Sequence, residues 1–521
     1  MVQILHTLSA PTFKIMATPH FFTEAVWSAS AEGRNFPSLT GHLEVEVAII
    51  GGGITGISAA CLLTQAGFRV AVLERNRVGM GTTGSSTGNL YIPTGRLHQI
   101  RSKFDVQTMK AVAASRAAAI GFIEERVNQF KLDCGFTRVP WYCFSTKEDA
   151  PWNEEITLEY EAAQEAGLQA GNQAPPGFPY RVTTLTSVAQ QAQFHPLRYV
   201  SQLAAAIESD RCAIYEHTPV LDVEDGKPCR IQTDQGTVHA KKVIKATHSP
   251  IGVYMVHSEM EAKREYALAV RVKGNLPGDG IYWHKDENQL YSVRPYRGET
   301  GNYLIVLDAS QTVGSVKHTE NSFMQVEEYL RRHFDVGEVV FTWAAQNYKP
   351  DDGLPFIGTS PMERNTYLAT GFAADGLVYG TTAALILSDL IQEKENPWAA
   401  LYDPKRFTPI ASAKNFVKTN VHVAKELIKD YLLSSEEKQL LRVPRGEGQI
   451  VEINNKKMAV YHDEEGKLHV VSAACTHLGC LVHWNNGEKS WDCPCHGSRF
   501  SVDGQVLEGP AIKNLPSGTG S

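Results

Sequence analysis

Val47-Ala48-Ile49-Ile50-Gly51-Gly52-Gly53-Ile54-Thr55-Gly56 runs on through small residues to Gly67 and ends in Val70-Ala71-Val72-Leu73-Glu74. The pattern predicts a buried strand, a glycine turn, a helix and a second strand. Each glycine has its own task. Gly51 permits the tight turn, Gly53 lets backbone approach a pyrophosphate, and Gly56 lets the helix lie close to the strand. The helix start then offers unpaired N–H groups and a positive dipole end to phosphate. Glu74 stands where a carboxylate accepts hydrogen bonds from a ribose. The unit reads as the seat of an adenine dinucleotide. The chain also contains a control. Gly79-Met80-Gly81-Thr82-Thr83-Gly84 repeats the glycine spacing but follows Glu74-Arg75-Asn76-Arg77, not a buried strand, and is expected to be a loop.

With 521 residues the chain is too long for one core, and about two to four domains are expected. A formal net charge of −7 argues against a general nucleic-acid binder. No apolar run reaches the roughly 18 residues of a membrane span. The N-terminal stretch lacks the basic and apolar regions of a secretory signal, with Met16 a second candidate start. A cytoplasmic protein without a transmembrane segment is expected. Cys61, Cys134, Cys143, Cys212 and Cys229 are scattered and read as reduced thiols. Cys475, Cys480, Cys493 and Cys495 crowd into one stretch, which in such a chain points to a metal site.

Changes of texture divide the chain. Residues 1–40 read as an arm, polar with Phe21, Phe22 and Trp27, packed on a main body of residues 41–410. Within that body, alternating strands are expected at 213–224, 230–233 and 237–246, and again between 266 and 307. Residues 411–440 read as a linker helix with Phe416, Val423, Leu427 and Tyr431 on one face and lysines elsewhere; a basic membrane-surface helix is the alternative. From 441 to 521, short strands and turns indicate a small all-β domain.

The segments 51–74, 81–86, 352–358 and 369–380 together resemble the D-amino-acid-oxidase-like superfamily of FAD-dependent amine oxidoreductases, which includes glycine and sarcosine oxidases. The resemblance implies an α/β, Rossmann-like FAD domain built from about 41–100, 180–250 and 345–395. It also implies an antiparallel α+β substrate domain from about 101–179 and 251–344. By the same resemblance, Gly51, Gly53, Gly56 and Glu74 hold the dinucleotide, and Thr82, Thr83 and Ser86 lie beside the flavin ring. Val220 touches adenine, Thr247 sits on the returning strand, and Gly371, Gly376 and Leu377 face the pyrimidine edge. The loop 79–89 contains no His, Cys or Tyr, so noncovalent FAD is expected. The implied chemistry is hydride transfer from the carbon next to an amine to flavin N5. Arg294 is the candidate clamp for a substrate carboxylate, with Tyr291 a weaker candidate beside it.

The second signal is Cys475-Thr476-His477-Leu478-Gly479-Cys480 followed by Cys493-Pro494-Cys495-His496-Gly497-Ser498. Two cysteines and two histidines can hold zinc. The paired boxes, with Gly509-Pro510 beyond them, resemble the Rieske [2Fe–2S] family over residues 441–515. That resemblance implies Cys475 and Cys493 on one iron, His477 and His496 on the other, and a loop-tying disulfide between Cys480 and Cys495. It also gives Ser498 a hydrogen bond to a bridging sulfide. Phe500 stands where high-potential members carry a tyrosine donor, which implies a lower potential.

Together these readings give a flavin dehydrogenase that oxidises a small-molecule amine or amino acid and passes electrons through the cluster to an external acceptor. Three alternative readings differ in what they require of the sequence. An NAD(P)H-dependent reductase needs a second nicotinamide fingerprint, and only the loop at Gly79 matches. A ring-hydroxylating oxygenase needs a histidine pair separated by four residues, a spacing absent among the 18 histidines. The third is a flavoenzyme whose Rieske domain serves as a docking or redox-sensing module.

Overall fold

The computed structural model describes residues 24–30, 33–93, 95–252, 255–308, 311–316, 318–406 and 443–518. The linker expected at 411–440, and Phe21 and Phe22 of the arm, lie outside the described residues. Trp27 of the arm is fully buried and donates its indole N–H to the Ser86 carbonyl at 2.6 Å.

Strand Gly41–Ile50 turns at Gly51 into helix Ile54–Gln65 and returns as strand Val70–Leu73, parallel to the first, with Val47 opposite Val70 and Ile50 opposite Leu73. The paired residues of both strands are all buried, which is why they read as unbroken apolar runs. Cys212–Tyr215 lies outside Val70–Leu73, and Gly236–Lys245 followed by Thr366–Thr370 extends the other side, all parallel. Phe356–Thr359 adds an antiparallel edge, and the hairpin Val220–Glu224 with Cys229–Thr233 pairs onto Gly236–Lys245. Helix Gly376–Ile391 packs on helix Ile54–Gln65. The second glycine-spaced segment leads into the 3-10 turn Thr82–Ser85 with no strand before it, as expected of a loop.

A larger sheet covers this layer. Among the described residues it has ten strands, and Met260–Val272 is its spine, paired with Gly301–Leu307 on one side and the 15-residue strand Val336–Pro350 on the other. It is antiparallel except where Ile281–Asp286 runs parallel to Thr137–Ser145. The segment 180–250, expected as one piece of the FAD domain, is split. Thr184–Gln193 pairs with Thr137–Ser145 and Asn89–Leu90 in this second sheet, and the chain rejoins the first layer at helix Pro196–Ile207. Hydrogen-bond partners outweigh sequence neighbourhood here: the strand, with Thr186 and Gln191 buried, is flanked by Thr137–Ser145 on one side and by the short strands Asn89–Leu90 and Ala170–Gly171 on the other. Residues 345–350 likewise finish the long strand before the chain returns at Phe356–Thr359.

The C-terminal unit is all β. One three-stranded sheet comprises Gly448–Ile453, Lys456–His462 and Leu468–Ser472; a four-stranded one runs from His483–Asn485 through Ser490–Asp492 and Arg499–Ser501 to Val506–Glu508. Trp491 and Phe500 fill its core.

This unit is fastened to the spine strand. Arg264 donates from Nε to Glu488 at 2.8 Å, from Nη2 to the same carboxylate at 2.5 Å, and from Nη1 to Glu508 at 2.8 Å. Arg499 joins from within the β unit, reaching Glu488, Asp492 and Glu508. Gln346 Nε2 donates to the Gly497 carbonyl at 2.8 Å and Tyr348 Oη to the Gly509 carbonyl at 2.9 Å. Gly497 has φ +79°, and a Cβ there would lie 2.6 Å from the Ala262 methyl, so only glycine permits this approach. No helix among the described residues is long and apolar enough to cross a membrane.

Candidate active site and metal centre

A cavity of about 380 Å³ opens at the carboxyl ends of the parallel strands. Gly51, Gly53 and Glu74 form one end of its wall, with Val220 and Thr247 close by. Thr82, Thr83, Ser86, Gly376 and Leu377 also line it. Gly56 and Gly371 are not on the wall. Thr83 Oγ1 accepts the Ile54 N–H at 3.1 Å, so the loop hydroxyl sits over the helix start. Glu74 accepts the Gly52 N–H at 2.7 Å and the Asn76 N–H at 2.8 Å. Burial pushes its carboxyl up, and these two N–H groups pull it back. Turn backbone, helix start and ribose acid all face one cavity, which fits an adenine dinucleotide.

Where substrate chemistry is expected, the structure departs from the sequence reading. Arg294 does not line the cavity. Its Nη1 donates to the Thr87 carbonyl at 2.7 Å and the Phe194 carbonyl at 3.2 Å, and its guanidinium lies 5.3 Å from the Trp27 ring centroid. Burial pushes it down to about 9. It is a scaffold behind the flavin loop and not a carboxylate clamp. Tyr291 is also elsewhere: it stacks on Tyr329 with ring centroids 3.7 Å apart in the core of the second unit.

In their place the wall carries Tyr91, Glu265, Asn347 and Asp375. Asp375 precedes helix Gly376–Ile391, accepts from the Tyr91 hydroxyl, and is paired with Arg116 at 3.2 Å. Arg116 is wholly buried, with Nε and Nη2 donating to the Ile92 and Tyr91 carbonyls, so the pair is rigid. Glu265, on the spine strand Met260–Val272, is half-buried on the cavity wall. Burial first, and then the Asp375 and Asp308 carboxylates, push it up to about 8, with Arg96 opposing. Asp375 lies within the 369–380 segment beside Gly376, but Tyr91, Glu265 and Asn347 belong to none of the segments read from the sequence. Alternation along Met260–Val272 was the one available signal for Glu265.

In the β unit the two boxes converge. Cys475 and Cys493 are buried free thiols, while Cys480 and Cys495 form a disulfide. The thiols share a hydrogen bond that holds Cys475 down to about 6 and Cys493 high. The His477 and His496 rings lie 5.1 Å apart at 87°. His477 Nδ1 is buried without a hydrogen-bond partner among the described residues. Such a nitrogen is costly unless something coordinates it. Two free thiols, two imidazoles and an orphaned ring nitrogen fit a [2Fe–2S] cluster held by Cys475, Cys493, His477 and His496. Ser498 is fully buried beside Cys475, and its Oγ accepts the Ala511 N–H at 3.1 Å.

The β unit reaches the cavity through one loop. Residues 507–511, the Gly509-Pro510 loop among them, form part of the cavity wall. His477 Nε2 lies 3.3 Å from the Gly252 carbonyl of the flavin unit.

A family profile described as FAD dependent oxidoreductase matches residues 46–390. The chain belongs to this family. A Rieske [2Fe-2S] domain profile matches residues 436–518. The FAD-dependent oxidoreductase thus carries a C-terminal Rieske domain, and its cofactors are FAD and a [2Fe–2S] cluster. Bacillus subtilis (strain 168) YhfW, assigned as a Rieske 2Fe-2S iron–sulfur protein, is 33% identical over 509 residues, covering 96% of this chain and 99% of that one. The γ-glutamylputrescine oxidoreductase of Escherichia coli (strain K12) is 28% identical over 240 residues, 44% of this chain and 55% of that relative, so just over half of its length is matched. The crystal structure of glycine oxidase from Geobacillus kaustophilus superposes with a TM-score of 0.59 at 20% identity, covering 70% of this chain and 100% of that one; the fold is shared.

Proposed function

We propose that this oxidoreductase removes a hydride from the carbon beside an amine nitrogen and sends the electrons through its own Rieske centre to an acceptor outside the chain. The supporting observation is the shared cavity. Gly51, Thr83 and Gly376 line it from the flavin unit, and residues 507–511 line it from the Rieske unit. When bound, FAD supplies the two-electron acceptor for the hydride, and the cluster a one-electron carrier to the outside. The chain's own groups supply position and charge. Thr82 and Thr83 bring hydroxyls to the cavity wall, and the start of helix Gly376–Ile391 favours negative charge beside it. Glu265 and Asp375 are wall carboxylates, and Arg75, next to Glu74, is the one arginine among the described lining residues. Asp375 is already paired with Arg116 and burial keeps Glu265 largely protonated near neutral pH, so the scarcity of lining arginines, not net negative charge, favours an amine over a substrate clamped by its carboxylate. Cys61, Cys134, Cys143, Cys212 and Cys229 are all free and buried, in keeping with a cytoplasmic setting.

An anaerobic panel of amines, amino acids, NADH and NADPH tests the reading. An amine is expected to bleach the flavin and the nicotinamides are not; rapid bleaching by NADPH alone overturns it. His496→Ala is expected to lose the cluster, keep FAD, and still bleach once with amine while losing turnover with a one-electron acceptor. Intact turnover in that variant would show that the cluster is not the exit.

The centre's tuning follows from Phe500, buried across the ladder from Trp491. Phe500→Tyr would add a donor toward a ligand sulfur, worth a fraction of the roughly 1.5–3 kcal/mol of a hydrogen bond to a charged group. The midpoint potential is expected to rise in voltammetry of the holoprotein; an unmoved potential removes this account.

A further inference from the structure

Between the cavity and the centre stands a third imidazole. His257 lies in the 3-10 turn Met255–Glu259 of the flavin unit and is 5% exposed. Its ring centroid is 5.2 Å from that of His477, at 88°, and 6.1 Å from that of His496. With the 5.1 Å between the two ligand rings, the three imidazoles form one compact triangle. His257 Nε2 lies 3.3 Å from Ser249 Oγ, and Ser249 lines the cavity. The segment between Ser249 and His257 also supplies the Gly252 carbonyl that faces His477 Nε2. One stretch of flavin-unit chain therefore touches the cavity at one end and both histidine boxes at the other.

We propose that His257 is a positioning residue for the Rieske centre: anchored by Ser249 on the cavity wall, it holds the His477 and His496 rings in the orientation that turns the centre toward the flavin cavity. The physical basis is that groups packed behind metal-bound imidazoles set ring orientation, and with it the electronic properties of the metal. An edge-to-face contact from the buried His257 ring limits how far the half-buried His477 ring can turn. His257 belongs to the flavin unit and its ring neighbours to the Rieske unit, so the centre's tuning is completed only when the two units are docked. This inference rests on the electron path proposed above, but its test does not depend on an amine being found.

The test uses the full-length holoprotein and three variants: His257→Ala, His257→Phe and Ser249→Ala. The readouts are the EPR g-values of the reduced cluster, its midpoint potential, and the rate at which the cluster is reduced once the flavin has been reduced, by amine or by photoreduction. His257→Ala is expected to move the g-values and potential and to slow cluster reduction by roughly 10–100-fold. His257→Phe keeps a ring against both ligands and is expected to restore most of the g-values, while Ser249→Ala gives a smaller shift in the direction of His257→Ala. Cluster loss in His257→Ala with retention in His257→Phe supports the proposal equally. Wild-type g-values and potential in His257→Ala overturn it whatever the rate, as does loss of the cluster in both His257 variants, which would make the residue a folding determinant. If no amine bleaches the flavin, the proposed function fails, and the EPR and potential arms still decide this one.

Discussion

Replacing Arg264 with methionine is expected to loosen the Rieske domain from the flavin unit at a cost of about 3–5 kcal/mol. The Arg264 and Glu488 side chains are 5% and 3% exposed, so neither charge reaches bulk water. Glu488 and Glu508 accept from both Arg264 and Arg499, and Asp492 from Arg499. With three carboxylates already facing two guanidiniums, removing one leaves Glu488 buried and half compensated. A loss of this size is a large part of the roughly 5–15 kcal/mol that holds a domain folded. It should appear as early release of the C-terminal unit in denaturant, followed by the visible circular dichroism of the cluster, and as faster proteolysis. Arg264→Met combined with Glu488→Met should recover much of the loss, because the stranded charge is gone. Burial alone would push Glu488 up, but Arg264 and Arg499 outweigh it and hold the carboxyl down to about 2, against an ordinary 4.5. A depressed carboxyl contributes stability that is complete above its unfolded value and is lost as pH falls through the folded one. Docking is therefore expected to weaken between about pH 4.5 and 2, and in the single variant, where Arg499 alone still faces Glu488, that acid transition should narrow. Unchanged unfolding in Arg264→Met would remove the network from any role in docking.

Gly51→Ala is expected to yield protein that retains the cluster and is largely free of FAD. Gly51 has φ +107°, and a Cβ there would lie 2.4 Å from the Ala246 carbonyl oxygen. The turn cannot move away. Gly51 N donates to the Leu73 carbonyl at 2.9 Å, and Ala246 N donates to the Ile50 carbonyl at 2.9 Å, pinning both sides. Backbone strain costs about 1–3 kcal/mol, and the overpacked contact about 1–3 kcal/mol more. Both fall on the backbone that must meet the pyrophosphate. Gly121→Ala, on the exposed face of helix Val106–Phe130 and away from the cavity wall, is the control. A Cβ there meets nothing within 4 Å, and FAD content should stay at the parent level. Flavin absorbance against iron content in the purified proteins reads both. Equal FAD in the two variants would break the assignment of the turn.

What could be read in the chain was local. Gly51, Gly53 and Glu74 act within one strand–helix–strand unit, and Cys475 with His477, or Cys493 with His496, act within one loop. Sequence distance is short in each, so spacing carries geometry. Arg294 failed because alternation along a strand gives a facing but not the neighbour that takes it. The carbonyls of Thr87 and Phe194 and the Trp27 ring surround its guanidinium. Glu265, Asp375 and His257 went unread for the complementary reason: each acquires meaning only when remote segments meet. Strand Thr184–Gln193 shows the same limit at the level of elements, since its sheet is chosen by partners more than 30 residues away in sequence.

Arg264 and Glu508 are 244 residues apart in the chain, and Gln346 and Gly497 are 151 apart. At roughly 5–20 residues per second of synthesis, tens of seconds separate the birth of the spine strand from that of the loop that closes over it. During that interval the flavin unit can pair its strands and bury most of its core, yet one wall of its cavity has not been made. Loop closure over such a distance adds little to the equilibrium cost but much to the waiting time. A chain cut short in that interval carries the dinucleotide turn without the finished chamber.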